Sequence, residues 1–321
     1  MFEKIVVPLD GSELAEVVLP YAEELMRRLG SQLVLLSVCE GGEGKERAEY
    51  LDTVVARLKR RAARYAERHP GMPVIEPNPE VVILEGKPSE GIIDYAEANR
   101  IDLTMMATHG RSGIGRWALG SVADKVIRGL SRPVCLIRAR GCQSEVHPDC
   151  LVGRIFAPLD GSEAGEAALP YVEALAARAR VEVVLFQVVP KPERPGEVTW
   201  MEIRKLEERN ARIYLHKVQS NLSNKGITVR SEIEFGGNPA EQIIEVSARA
   251  SAAVIAMSTH GRTGVNRLVF GSVAEKVLRA ARTPLLLVRA PGAETLSEAE
   301  GADGVCKGGY TKWSSAHESF V

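Results

Sequence analysis

Two short motifs hold the residues able to do chemistry, and each occurs twice. Val7-Pro8-Leu9-Asp10-Gly11-Ser12-Glu13 returns as Ala157-Pro158-Leu159-Asp160-Gly161-Ser162-Glu163. Thr108-His109-Gly110-Arg111-Ser112-Gly113, followed by Gly120-Ser121-Val122-Ala123, returns as Thr259-His260-Gly261-Arg262-Thr263-Gly264, followed by Gly271-Ser272-Val273-Ala274. Glycines let backbone amides approach an anion closely and accept positive φ. A Gly-Ser pair that opens a helix presents free N–H groups and the positive end of the helix dipole, and the hydroxyl adds one more donor. Together these residues describe a phosphate cradle. A turn followed by a helix N-cap, with no ligand, would use the same residue types. Repetition at one constant spacing favours the cradle and implies a duplicated unit.

The carboxylate of Asp10, and of Asp160 in the second copy, ends the first motif. Beside a polyphosphate it is unfavourable unless it ligates a cation or turns toward a ribose or base. Helping to cap the following helix is the structural alternative. Val38 and Val188 close the second strand of each half, where they would line a flat ring or simply pack in the core; the residues alone favour the core. His109 and His260 lack histidine or cysteine partners at metal spacing, so a hydrogen-bonding loop role is expected. Arg111 and Arg262 suit phosphate or a solvated surface equally. There is no G-x-x-x-x-G-K-[ST] loop and no G-x-S-x-G. Gly113-Ile114-Gly115-Arg116-Trp117-Ala118 fits G-x-G-x-x-A, but it follows a fourth strand, and Asn266 breaks the pattern in the second copy. No residue is assigned a catalytic role.

Short apolar runs alternate with helical segments in each half, the pattern of βαβ units and a parallel sheet. Strands are predicted at about 4–9, 32–38, 80–85, 102–108 and 133–138, and again near 153–159, 181–188, 228–235, 252–258 and 284–289. Leu14, Val17, Val18, Tyr21, Ala22, Leu25, Met26 and Leu29 recur at helical spacing, predicting one amphipathic helix over 13–29. Ser12 is placed to cap it, and Pro20 (Pro170 in the second copy) should kink it. A long charged helix is expected over 45–68, a shorter one over 89–99, and another from Gly120-Ser121. Lys59-Arg60-Arg61 and Arg64 read as a solvated face of the long helix. Each half is thus a five-stranded open α/β sheet, which binds ligands where strand order reverses, at the carboxyl ends of the strands. With strand one between two and four, that reversal lies between the two strands that the repeated motifs follow.

A chain of 321 residues with 45% hydrophobic and 26% charged residues suits two globular units. The net charge of −1 gives no electrostatic footprint for nucleic acid or an anionic membrane. Five cysteines, none in a C-x-x-C pair, point to neither zinc nor a disulfide framework and fit a reducing compartment. The first residues read as a strand instead of a signal peptide, and no apolar run approaches the ~20 residues of a membrane span. A cytoplasmic protein is expected.

These motifs resemble the universal stress protein family in its tandem form. The resemblance rests on Pro-Leu-Asp-Gly-Ser-Glu near each start, Thr-His-Gly-Arg-Ser/Thr-Gly, Gly-Ser-Val-Ala-Asp/Glu-Lys-Val, and the closing strands Arg132-Pro133-Val134-Cys135-Leu136-Ile137-Arg138 and Thr283-Pro284-Leu285-Leu286-Leu287-Val288-Arg289. It implies two Rossmann-like units at 1–139 and 153–290, a linker over 140–152, and a C-terminal tail over 291–321 that reads as disordered. Family members that bind ATP resemble G-x2-G-x9-G-[S/T]. Gly110, Gly120 and Ser121 match it, as do Gly261, Gly271 and Ser272, while Ala107 and Ser258 stand at the first glycine.

By this resemblance Pro8, Asp10, Pro158 and Asp160 lie beside the nucleotide, the two aspartates also beside Mg2+. Val38 and Val188 touch adenine, Met106 and Met257 contribute backbone near the ribose, and Ala107 and Ser258, at the first motif glycine, also belong to the ATP site. Gly110, Gly120, Ser121 and Val122, with Gly261, Gly271, Ser272 and Val273, hold phosphate. The resemblance further implies that the last strands of the two units pair in an internal pseudo-dimer. Association of two whole chains and an unidentified protein partner are left open. The function implied is an ATP-dependent stress-response switch; slow ATP hydrolysis and a scaffold that binds no nucleotide are the alternatives.

Overall fold

The computed structural model describes residues 1–70, 76–108, 119–138, 153–189, 197–261 and 270–290. The linker expected over 140–152 and the tail over 291–321 lie outside them, as do His109, Gly110, Arg111 and Arg262. In the first half the elements run β1 (Lys4–Pro8), α1 (Glu13–Glu16), α2 (Leu19–Leu29), β2 (Gln32–Cys39), α3 (Gly44–Arg68), β3 (Glu80–Glu85), α4 (Pro88–Ala98), β4 (Leu103–Ala107), α5 (Ser121–Gly129) and β5 (Val134–Ile137). The second half repeats them as β6 (Arg154–Pro158), a 3-10 turn (Gly165–Ala168), α6 (Leu169–Ala179), β7 (Glu182–Val189), α7 (Glu197–Ser223), β8 (Val229–Phe235), α8 (Pro239–Arg249), β9 (Ala252–Ser258), α9 (Ser272–Ala280) and β10 (Leu285–Val288).

All strands join one ten-stranded sheet in the order β3-β2-β1-β4-β5-β10-β9-β6-β7-β8. Within each half neighbours are parallel, as Val6 opposite Val34 and Met106 opposite Leu136 illustrate. Strand order reverses at β1 and again at β6, as expected. Helices cover both faces, so the strands are buried on both sides and read as continuous apolar runs. One core layer packs Leu35, Leu51, Leu58, Leu185 and Leu215 beneath α1–α3, α6 and α7. The opposite layer packs Val34, Ile92, Val126, Val184, Ile243 and Val277 beneath α4, α5, α8 and α9.

The halves meet where β5 and β10 pair antiparallel, with Leu136 opposite Leu285 and Val134 opposite Leu287. Two apolar edges thereby cover each other. Arginines then cross the seam in both directions. Arg138, just past β5, donates to the carbonyls of Leu278 (3.2 Å) and Arg279 (2.6 Å) in the last turn of α9. Arg289, just past β10, donates to the carbonyls of Ile127 (3.3 Å), Arg128 (2.5 Å) and Leu130 (3.2 Å) at the end of α5. Each guanidinium satisfies orphan carbonyls at the negative pole of the other half's helix. Nearer the other end, Phe2 meets Tyr171 edge-on at 6.0 Å, and Arg178 donates to the carbonyls of Met1 (3.0 Å) and Leu29.

The helix expected over 13–29 is instead two. α1 stops at Glu16, and α2 starts at Leu19 with Pro20 in its first turn. Proline lacks an N–H that the first turn would leave unbonded anyway, so it begins a helix here instead of kinking one. The second half does likewise, with a 3-10 turn before α6 and Pro170 in its opening turn. The basic cluster on α3 is also only partly a solvated face. Arg61 turns to Glu23 of α2 at 3.3 Å, and the neighbouring Arg57 reaches Glu16 at 2.7 Å.

Candidate functional site

The first motif is a carboxylate-anchored turn. Leu9 N–H still bonds the Leu36 carbonyl at 2.8 Å, and the chain then leaves the sheet through Gly11 at φ +85°. Asp10 Oδ1 accepts from Ser12 N (2.9 Å) and from Ser12 Oγ (2.6 Å), while Ser12 Oγ accepts from Ala15 N at 3.2 Å. Asp160 Oδ1 accepts from Ser162 N and Oγ at 3.0 and 2.6 Å, and Ser162 Oγ caps Gly165 N at 3.0 Å. The expected Ser12 cap is therefore present. The aspartate orients it, leaving each carboxylate beside the sheet's carboxyl edge.

The second motif comes back to the same edge. Thr108 and Thr259, both buried, donate to the carbonyls of Ile137 (2.9 Å) and Val288 (2.8 Å). Their own carbonyls accept from Gly120 N at 2.8 Å and Gly271 N at 2.9 Å. Both ends of the motif loop are thus pinned to the end of the strand, which fixes the start of α5 and of α9 there. Neither helix has a side-chain cap on its N-terminal residue. The first bonds of the helices run from Asp124 N to Gly120 O and from Glu275 N to Gly271 O. The amides of Ser121, Val122 and Ala123, and of Ser272, Val273 and Ala274, precede them and are the N–H groups a helix start leaves without intrahelical partners.

In the second half the two motifs touch. A Cβ at Gly261 would lie 2.4 Å from Asp160 Oδ2, so the carboxylate occupies the space a side chain there would need. This is a second reason for a glycine at that position, beyond approach to an anion. Ala107 and Ser258, where the motif's first glycine would stand, are strand residues without positive φ, so no backbone freedom is lost by their side chains. Met106 and Met257 are buried in the core layer beneath α5 and α9. Val38 packs against α4, where a Cβ at Gly91 would come within 2.9 Å of Val38 Cγ1. Val38 and Val188 border the same core layer, half-buried, in keeping with the core reading. Pro8 and Pro158 close β1 and β6. His260 pairs its Nδ1 with Thr259 Oγ1 at 2.9 Å, the loop role expected.

Arg47 at this edge escaped the sequence reading. It is 6% exposed; its guanidinium donates to the Asp10 carbonyl and reaches Glu43 Oε2 at 3.0 Å. It sits in the buried stripe Arg47, Leu51, Val54, Leu58 of α3. A charged residue on the apolar phase of a helix was the available sign.

Among the described residues, no cluster of three or more His, Cys, Asp or Glu side chains could hold a metal ion. One carboxylate per half suits Mg2+ only in company with phosphate oxygens, the way that ion is commonly held. No helix of the described residues is long and apolar enough to cross a membrane.

Two open parallel α/β sheets of one plan, joined edge to edge about an antiparallel seam, define a tandem doubly wound α/β protein. The universal stress protein family profile matches residues 1–138 and 152–289, and the chain belongs to that family. It is similar to a universal stress protein of Methanocaldococcus jannaschii, 33% identical over 147 residues that span 45% of this chain and 86% of the relative. A Mycobacterium tuberculosis universal stress protein is 27% identical over 195 residues, 60% of this chain and 63% of that protein. The crystal structure of a universal stress protein from Archaeoglobus fulgidus shares the fold with a TM-score of 0.60 at 20% identity, covering 90% of this chain and 99% of that one.

Proposed function

We propose that the protein is an ATP-dependent stress-response switch with one nucleotide site in each half, at the carboxyl ends of β1 and β4 and of β6 and β9. The observation that carries this reading is the convergence, in both halves, of an aspartate turn and a helix start with glycine at its N-cap, at the reversal of strand order. The units are read as 1–139 and 153–290, joined by 140–152. The amides opening α5 and α9, with Gly110, Gly120, Ser121, Gly261, Gly271 and Ser272, would hold phosphates. Asp10 and Asp160 would face the ribose or share Mg2+ with phosphate oxygens. Val38 and Val188 would offer adenine the part of their surface that the core leaves uncovered. Bound Mg2+ supplies positive charge to the phosphates. The chain's own residues bind and orient. The cytoplasm suits a chain whose described cysteines, Cys39 and Cys135, are free and buried.

With the one motif carboxylate of each half read as a ribose or Mg2+ contact, hydrolysis would belong to resetting a switch and not to metabolism. Protein purified without added ligand should release adenine nucleotide on denaturation, and its steady-state turnover of ATP should fall far below about 10 per second. Turnover in that range, lost in an Asp10→Asn/Asp160→Asn protein that still binds ATP, would make the protein an ATPase.

A further inference from the structure

Two halves built from one plan differ where Arg47 lies. The stripe Tyr50-Leu51, Val54, Leu58 on α3 recurs on α7 as Tyr214-Leu215, Val218, Leu222, with the buried leucines and valines in the same phase. That register sets Glu207 opposite Glu43 and Ala211 opposite Arg47. The second half therefore keeps the carboxylate and the turn carbonyl that the guanidinium uses in the first half, and lacks the guanidinium. A cavity of about 190 Å³ opens at that place, lined by Gly161, Gln187, Glu207, Asn210, Ala211 and Tyr214. Gln187 is only 5% exposed, and its Oε1 finds no hydrogen-bond partner among the described residues. In the first half the equivalent strand position is Ser37, which satisfies itself on the Leu9 carbonyl at 2.9 Å. A buried amide oxygen without a donor is costly to maintain, and the cavity has room for one.

We propose that this cavity is a binding site for a small organic cation with a guanidinium or amidinium head, present in the second half only. Among the described residues the lining offers a carboxylate, an unpartnered amide oxygen and the ring of Tyr214, and no lysine or arginine. Flat N–H donors with positive charge match that set, because a guanidinium forks onto oxygen acceptors and lies against aromatic faces. The chain itself supplies the precedent in Arg47. The volume lies below that of pockets for drug-sized molecules, which limits the occupant to a head group or a compact molecule. The proposal does not rest on nucleotide binding, although the cavity's Gly161 edge adjoins the Asp160 turn.

The test is calorimetric titration of the full-length chain with methylguanidinium chloride, without nucleotide, with urea as the neutral isostere. One site per chain is expected, and urea should give no comparable binding. Ala211→Arg should abolish the site by rebuilding the first-half arrangement. Glu207→Gln, at an exposed position that leaves the core untouched, should weaken binding about tenfold or more through loss of a charge-assisted bond. Absence of methylguanidinium binding to folded protein would overturn the proposal. So would equal binding of urea, or affinity unchanged by Glu207→Gln. Nucleotide titration of the same samples reads the other site separately.

Discussion

At the scale of single residues, Glu23 carries the clearest pH signature. Burial pushes its carboxyl up to about 7, against the pull of Arg61 and Arg57. Between about 4.5, where the unfolded chain releases this proton, and 7, the folded state retains it. Stability therefore falls as pH rises through that window and levels off above it, by on the order of 2–3 kcal/mol. Urea denaturation at pH 5 and pH 8 should show this loss, and Glu23→Gln should remove most of it. A wild-type profile that rises across the window would contradict the assignment. The residues that could be read in advance were those whose role is local. Asp10, Ser12 and the motif glycines act within a few positions of themselves, so their spacing betrays them. The partner of Arg47, the Asp10 carbonyl, belongs to another element, so only the place of a charged residue on the apolar phase of α3 marks it.

At the scale of elements, the starts of α5 and α9 decide whether the sheet edge is an anion site. A carboxylate there should strengthen the helix by about 0.3–1 kcal/mol through the dipole while repelling phosphate. Ser121→Asp and Ser272→Asp should thus leave the melting temperature unchanged or slightly raised, and weaken nucleotide binding about tenfold or more. Binding unaffected by either change would mean that these helix starts are not used. The strands and most helices were legible because apolar runs and helical spacing survive in one dimension. The break at Val17–Val18 was not, since an apolar stripe continues across it; only the positional preference of proline for a first turn distinguishes a new helix from a kink.

At the scale of the whole molecule, the seam between halves rests on β5, β10 and the exchange of arginine caps. Arg138→Ala and Arg289→Ala should each cost about 1–2 kcal/mol, the range for a cation at a partly buried helix end. Each should lower the melting temperature by a few degrees in scanning calorimetry. The two cap different helices with separate partners, so the double variant should show the sum. No shift from either would mean that the caps are ornamental to the seam. The pairing of the closing strands was foreseeable from their apolar edges. The caps were not, because each arginine serves a helix of the other half.

The proposed switch requires two nucleotide sites, one per half. Isothermal titration of nucleotide-free, folded protein with Mg-ATP measures their number directly. Saturation near two ATP per chain is expected. No heat at millimolar Mg-ATP would contradict it.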